Sequence, residues 1–173
     1  MSRGSQITMA VLVALLALFL MARLRYPGKA PVKLQAQSCD SGLWKHVYEK
    51  DRLRVIEACT AVEGSVFEVH RNADGDLHIL LDPEDKSVLN LVNIIHGHRK
   101  LVVEIICDHP PANPASTAQA VCKDFHPQIT TPAVGDRVRI TGAYVTDRDN
   151  GWREIHPVTR IEILHSSMKS LPD

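Results

Sequence analysis

His78, Glu104 and His156 are polar positions in three segments that otherwise read as apolar strands. Two imidazoles and one carboxylate make the ligand set of a zinc site that keeps an open coordination position. A divalent ion held there would polarise water for hydrolysis. The same groups also suit a structural role, a histidine–glutamate cluster that locks strand register near Pro157. Side chains alternate across a strand, so His78, Leu80 and Asp82 share one face, opposite Leu77, Ile79 and Leu81. Glu104 shares a face with Val102 and Ile106, and His156 shares one with Glu154, opposite Arg153 and Ile155. The cofactor this pattern implies is a divalent metal.

Weaker candidates stand beside this set. Asp74 and Asp76 fall in Asn72-Ala73-Asp74-Gly75-Asp76, a turn composition that explains both without further chemistry. His96-Gly97-His98 has the spacing of a surface chelate, although loop histidines of this kind are usually solvated.

The elements that must position these residues follow from periodicity and punctuation. Residues 41–52 read as a leading helix, with Ser41 as N-cap and Leu43, Trp44, Val47 and Tyr48 on one face. Val55 to His70 is a β-branched run with a bend or bulge at Gly64. After the turn, Leu77 to Asp82 completes a hairpin, and Leu101 to Cys107 is a third strand. Ser116 to Phe125 reads as a helix started after Pro114. Val138 to Asp147 and Trp152 to Leu164 are strands joined by Asp149-Asn150-Gly151. Lys86 to His98 fits a loop, a short strand or a helical turn. Three strands, one helix and two strands, with a bent first strand, predict a mainly β chain. The fold expected over residues 53–165 is the five-stranded Greek-key barrel of the OB-fold, with residues 166–173 as a tail. In such barrels the loop between strands four and five borders the binding face. Tyr144, Trp152, Arg153 and Glu154 are therefore the expected ligand contacts, unless Trp152 only caps the barrel end.

Composition narrows the function. The 173 residues carry 20 basic and 20 acidic side chains, which excludes a polycation that binds nucleic acid by bulk charge. Apolar residues at 45% exclude general disorder, and aromatics at 5% leave few stacking platforms for bases. Met9 to Ala22 has no polar side chain and reads as a signal peptide, residues 1–22, or as a signal anchor over Ile7 to Leu24. Pro27, Gly28 and Pro31 mark residues 23–40 as a linker. Arg23, Arg25, Lys29 and Lys33 follow the apolar run and favour a cytoplasmic domain by the positive-inside count. Four cysteines without C-x-x-C spacing favour an exported, periplasmic or extracytoplasmic setting instead. Cys107 and Cys122 flank a Pro-rich loop and are the expected disulfide; four cysteines allow three connectivities.

Four segments also carry a resemblance: DRLRVIEACTAVEGSV at 51–66, ADGDLHILLD at 73–82, LVVEIIC at 101–107 and VGDRVRITGAYVTDRDNGWREIHPVTRIEI at 134–163. Together they resemble a family of uncharacterised, mostly exported bacterial OB-fold proteins. The resemblance implies the fold and an exported setting, and no settled activity. Ala58 stands where that family usually has proline before the cysteine, a change with no chemical consequence. A second, partial resemblance is to staphylococcal-type nucleases, also OB-folds, with D-G-D-T in the first hairpin and R-x-x-x-x-D-x-P-E at the third strand. Asp74-Gly75-Asp76 matches the first motif, and Asp108 with Pro110 matches part of the second. Leu77, Val103 and Pro111 replace the threonine, arginine and glutamate. What remains is at most a cation held by Asp76 and Asp108, without the groups that phosphodiester cleavage requires.

The function expected is a non-enzymatic exported binding module for a small molecule, glycan or protein partner. It would be tethered to, or exported across, the membrane by its N-terminal segment. A metal-dependent hydrolase using His78, Glu104 and His156 is one alternative. A single-stranded nucleic-acid binder is the other, disfavoured because no basic groove is visible.

Overall fold

The computed structural model describes residues 38–113 and 117–167. The expected signal segment, most of the linker, the helix start at Ser116 and most of the tail lie outside the described residues. The protein is mainly β. Strands β1 (Leu53–Arg71), β2 (Leu77–Pro83), β3 (Leu101–Ile105), β4 (Arg137–Asp147) and β5 (Arg153–His165) form one sheet. Its order, β1-β2-β3-β5-β4, returns to β1 and closes the sheet in a ring. Only β3 and β5 run parallel, with Val102 opposite Glu154 and Val103 opposite Ile155.

β1 closes the ring because it is long enough to serve two neighbours. Residues 64–71 pair with β2, and residues 53–65 pair with β4. The handover falls at Gly64, which faces both Pro83 and Val138. A Cβ there would lie 2.5 Å from the Asp82 carbonyl oxygen, so the close approach leaves room for glycine alone. The bend expected at Gly64 is distributed over bulges on either side, between Val66 and Glu68 and between Val55 and Thr60.

Strand alternation fills the ring. Leu77, Ile79 and Leu81 of β2 pack inside with Val103, Ile105, Ile140 and Ile155. Each fully buried aliphatic side chain contributes about 1.5–3 kcal/mol. A one-residue slip of β2 would put His78, Leu80 and Asp82 in their place, so the register is strongly specified. A second apolar cluster lies under the N-terminal segment, where Leu43, Val47 and Leu53 meet Ile106, Ala143 and Val145.

Several elements differ from expectation. Residues 41–52 form two 3-10 turns, Ser41–His46 and Lys50–Arg52, rather than one helix. Glu49 breaks them with a left-handed φ of 48°, and Asp40, not Ser41, caps the first turn by accepting the Gly42 N–H at 2.8 Å. Lys86 to His98 resolves into a 3-10 turn, Lys86–Val88, and a short helix α1, Leu91–Ile95, closed by a capping box of Asn90 and Asn93. β3 stops at Ile105 because Cys107 takes a left-handed φ of 55°, and α2 spans Thr117–Cys122. Disulfides join Cys107 to Cys122 and Cys39 to Cys59, the latter tying the leading segment to β1. Among the described residues no helix is long and apolar enough to cross a membrane.

Candidate functional site

A row of ionisable side chains crosses the outside of the ring, and strand register builds it. His70 of β1 faces His78 of β2, and His78 faces Glu104 of β3. The parallel pair Val102–Glu154, extended by two residues, then brings His156 of β5 beside Glu104. His78 Nδ1 lies 3.0 Å from His70 Nε2, and His78 Nε2 lies 3.6 Å from Glu104 Oε1. On the far side Glu104 Oε2 is 2.8 Å from His156 Nδ1. That nitrogen is 3.2 Å from Glu154 Oε1 and better aligned on it. Trp152 Nε1 donates to Glu154 Oε2 at 3.0 Å. Arg52 donates to Asp147 and reaches Glu104 Oε2 at 3.7 Å. His156, Glu154 and Asp147 are wholly buried.

Asp76 belongs to this cluster and is not simply a turn residue. It is 2% exposed, and its Oδ1 accepts the Cys107 N–H at 2.8 Å. Donor atoms of Asp76, Glu104 and His156 all lie within 4.8 Å of one another. The geometry thus couples Asp76 to the expected pair of Glu104 and His156, while His78 borders the set through Glu104. Asp76 also lies near Cys107 and Cys122, but their sulfurs are spent in a disulfide.

The electrostatics follow from burial and pairing. Burial opposes a charge on His156, yet the field of Glu104, whose Oε2 stands 2.8 Å from Nδ1, and the hydrogen bond to Glu154 lift its pKa to about 10. Burial would raise Glu104, but His156, then His78 and Arg52, bring it down to about 2. Burial dominates at Asp76 and pushes it up to about 7, with His156 pulling the other way. Burial lowers His78 against the pull of Glu104, and burial raises Glu154. At neutral pH the centre of the cluster is therefore an imidazolium between two carboxyl groups.

These shifts set a pH dependence for chelator-treated protein. The folded pKa of His156 exceeds the ordinary 6.5, so its pairing stabilises fully below that value and is lost as pH rises toward about 10. Glu104 is depressed from 4.5, so its share is complete above that value and is lost as pH falls toward about 2. Asp76 holds its proton more tightly folded than unfolded, so stability declines as pH rises from 3.8 to about 7. The thermal midpoint is expected to peak between pH 3.8 and 4.5, where folded Glu104 is ionised and folded Asp76 still holds its proton, and to fall from there to about pH 9. A midpoint that climbs steadily across pH 5–9 contradicts this assignment.

One side of the row opens to solvent. A cleft of about 400 Å³ has the buried Glu104 in its lining, with the half-buried His78 and Arg52 beside it. Tyr48 and Trp152 contribute aromatic surface, and Asn72, Asn150, Asp74, Asp149 and Glu49 complete the lining. Of the expected ligand contacts, only Trp152 is here. Alternation along β5 sends Arg153 to the opposite face, where its Nη1 donates to the Tyr144 hydroxyl at 3.0 Å. Tyr144 in turn donates to the Val88 carbonyl oxygen, so both residues brace the Lys86–Val88 turn. Glu154 is wholly buried, where it holds Trp152 and His156 and presents nothing to a ligand. His96 and His98 are exposed and join no compact donor set among the described residues. Asp108 pairs with Arg71 at 3.6 Å and His109 at 3.5 Å. Val103, at the place of the nuclease arginine, is buried inside the ring.

Arg52 and Asp147 are site residues that sequence reasoning did not single out. Arg52 lies in a segment read as helix, where one arginine carries no signal. Asp147 had one: an aspartate at a strand end before a turn. Its carboxylate accepts the Asp149 N–H at 2.8 Å and the Asn150 side chain at 2.7 Å. No protein-family model matches the chain, and no curated protein matches it.

Proposed function

We propose that the protein is an exported OB-fold binding module that takes a small polar ligand or glycan in the cleft above His78 and Glu104. Membership of the exported bacterial OB-fold family is part of this reading. A five-stranded sheet closed on itself, a helix between β3 and β4, and the matched segments support it. Two disulfides, which persist in oxidising compartments, support export together with the apolar N-terminal segment.

The observation that carries the binding reading is the lining of the cleft. Tyr48 and Trp152 supply flat apolar faces, and the asparagines and carboxylates supply donors and acceptors suited to hydroxyl or ammonium groups. Glu49, Asp74, Glu104 and Asp149 outnumber Arg52, whose charge Asp147 already engages. Such a surface repels phosphate, which disfavours single-stranded nucleic acid. No serine, threonine or cysteine lines the cleft, which disfavours a hydrolase of the serine, threonine or cysteine type.

Protein made in an oxidising compartment, titrated with neutral oligosaccharides and small ammonium compounds, should show saturable binding read by titration calorimetry. Trp152→Ala should weaken that binding about tenfold or more, in line with the loss of one stacked ring and its contacts. Arg153→Ala, on the other face, should leave it unchanged. Saturable binding that survives both Trp152→Ala and His78→Ala would place the ligand elsewhere, and no binding across the panel would retire the reading.

A further inference from the structure

We propose that Asp76, Glu104 and His156 form a buried binding site for a divalent transition-metal ion. The three residues come from the turn before β2, from β3 and from β5, so a bound ion would tie together three parts of the ring. Bonds of about 2.0–2.2 Å to nitrogen and oxygen hold ligand atoms no more than about 4.4 Å apart. The donors already lie within 4.8 Å, and closing around an ion requires movements of tenths of an ångström.

Unsatisfied atoms provide an independent indication. Glu104 Oε2 is 2.8 Å from His156 Nδ1 but off the line of its N–H, and it accepts no hydrogen bond from within the protein. His156 Nε2, on a side chain with no exposure, has no hydrogen-bond partner, and neither has His78 Nε2 at the edge of the set. Buried polar atoms without partners are uncommon, and three of the five among the described residues belong to Glu104, His156 and His78.

The surroundings are those of a metal site. A metal-bound histidine usually gives its other ring N–H to a carboxylate, and Glu154 Oε1 stands 3.2 Å from His156 Nδ1. Asp76 is oriented from behind by the Cys107 N–H. Oxygen donors are plentiful around the set: Asp147 and Glu154 are buried carboxyl groups as well, and Arg52 pairs with Asp147 and reaches Glu104. One imidazole with carboxylate oxygens suits zinc or manganese better than calcium, which prefers six or more oxygens.

The test uses the full chain, made without a histidine tag in an oxidising compartment, stripped with chelator and titrated with Zn²⁺ or Mn²⁺. The expected result is about one ion per chain by elemental mass spectrometry, with a rise in thermal midpoint that grows with metal concentration. Asp76→Asn and Glu104→Gln should each weaken binding at least tenfold, and either one suffices if the other does not fold. A double His96→Ala, His98→Ala variant should bind as the parent does. Folded parent protein that takes up less than about a tenth of an ion per chain overturns the proposal. So does full uptake by a folded Asp76→Asn or Glu104→Gln variant, or loss confined to the surface-histidine variant. Neither readout depends on the ligand of the cleft.

Discussion

Replacing His156 with alanine is expected to destabilise the domain by about 3–5 kcal/mol, read by denaturant unfolding of chelator-treated protein near pH 6. The imidazolium is the close counter-charge of Glu104, and its Nδ1 is the hydrogen-bonding partner of Glu154, both inside the protein. Removing one partner of a buried pair leaves the other desolvated and uncompensated, and that penalty exceeds the worth of the pair itself. Domains of this size hold only about 5–15 kcal/mol in total, so the variant stands near the limit of folding. A second arm separates charge from packing. Changing Glu104, Glu154 and His156 together to apolar residues of similar volume should recover much of the loss, because nothing charged is then stranded. A cost below about 1 kcal/mol for His156→Ala would show that the row is solvated.

The second large effect is expected at the disulfides. The double variant Cys107→Ala, Cys122→Ala should lose about 3 kcal/mol, the chain-entropy value for a closed loop of this order. The bridge spans a separation of 15 residues, and Cys39–Cys59 spans 20. Loss of the first bridge should also reach the site, because the Cys107 N–H is what holds Asp76 Oδ1. Metal affinity should therefore fall in the Cys107/Cys122 variant and hold in a Cys39/Cys59 variant that stays folded. Unfolding midpoints of the parent and the two variants, with and without Zn²⁺, check both statements. Equal and small losses, below about 1 kcal/mol each, would mean that the bridges add little to the closed sheet.

The strands and the odd polar residues within them were legible because both signals are local. Alternation in β2 marked Leu77, Ile79 and Leu81 as interior and His78 as exterior, and their burial follows that alternation. Glu104 and His156 stood out for the same reason, as ionisable groups amid apolar neighbours. The 3-10 turns at residues 41–52 were not legible, because an amphipathic pattern of that length fits a helix equally well. The left-handed residue that breaks it, Glu49, has no sequence signature.

By itself, then, the sequence determined that the chain is mainly β, where each strand lies, and which polar residues needed an explanation. Those properties depend on side-chain period and turn chemistry over a few residues. Only the tertiary structure decided which of those residues meet. The ring brings β3 beside β5 in parallel, and that non-local register puts His156 against Glu104. It also turns a hairpin aspartate, Asp76, inward to the same point, and carries Arg52 from the leading segment onto Asp147 and Glu104. The physical reason is that a buried charge must find its partner across the sheet, and the partner's distance along the chain leaves no mark on the residues near either one.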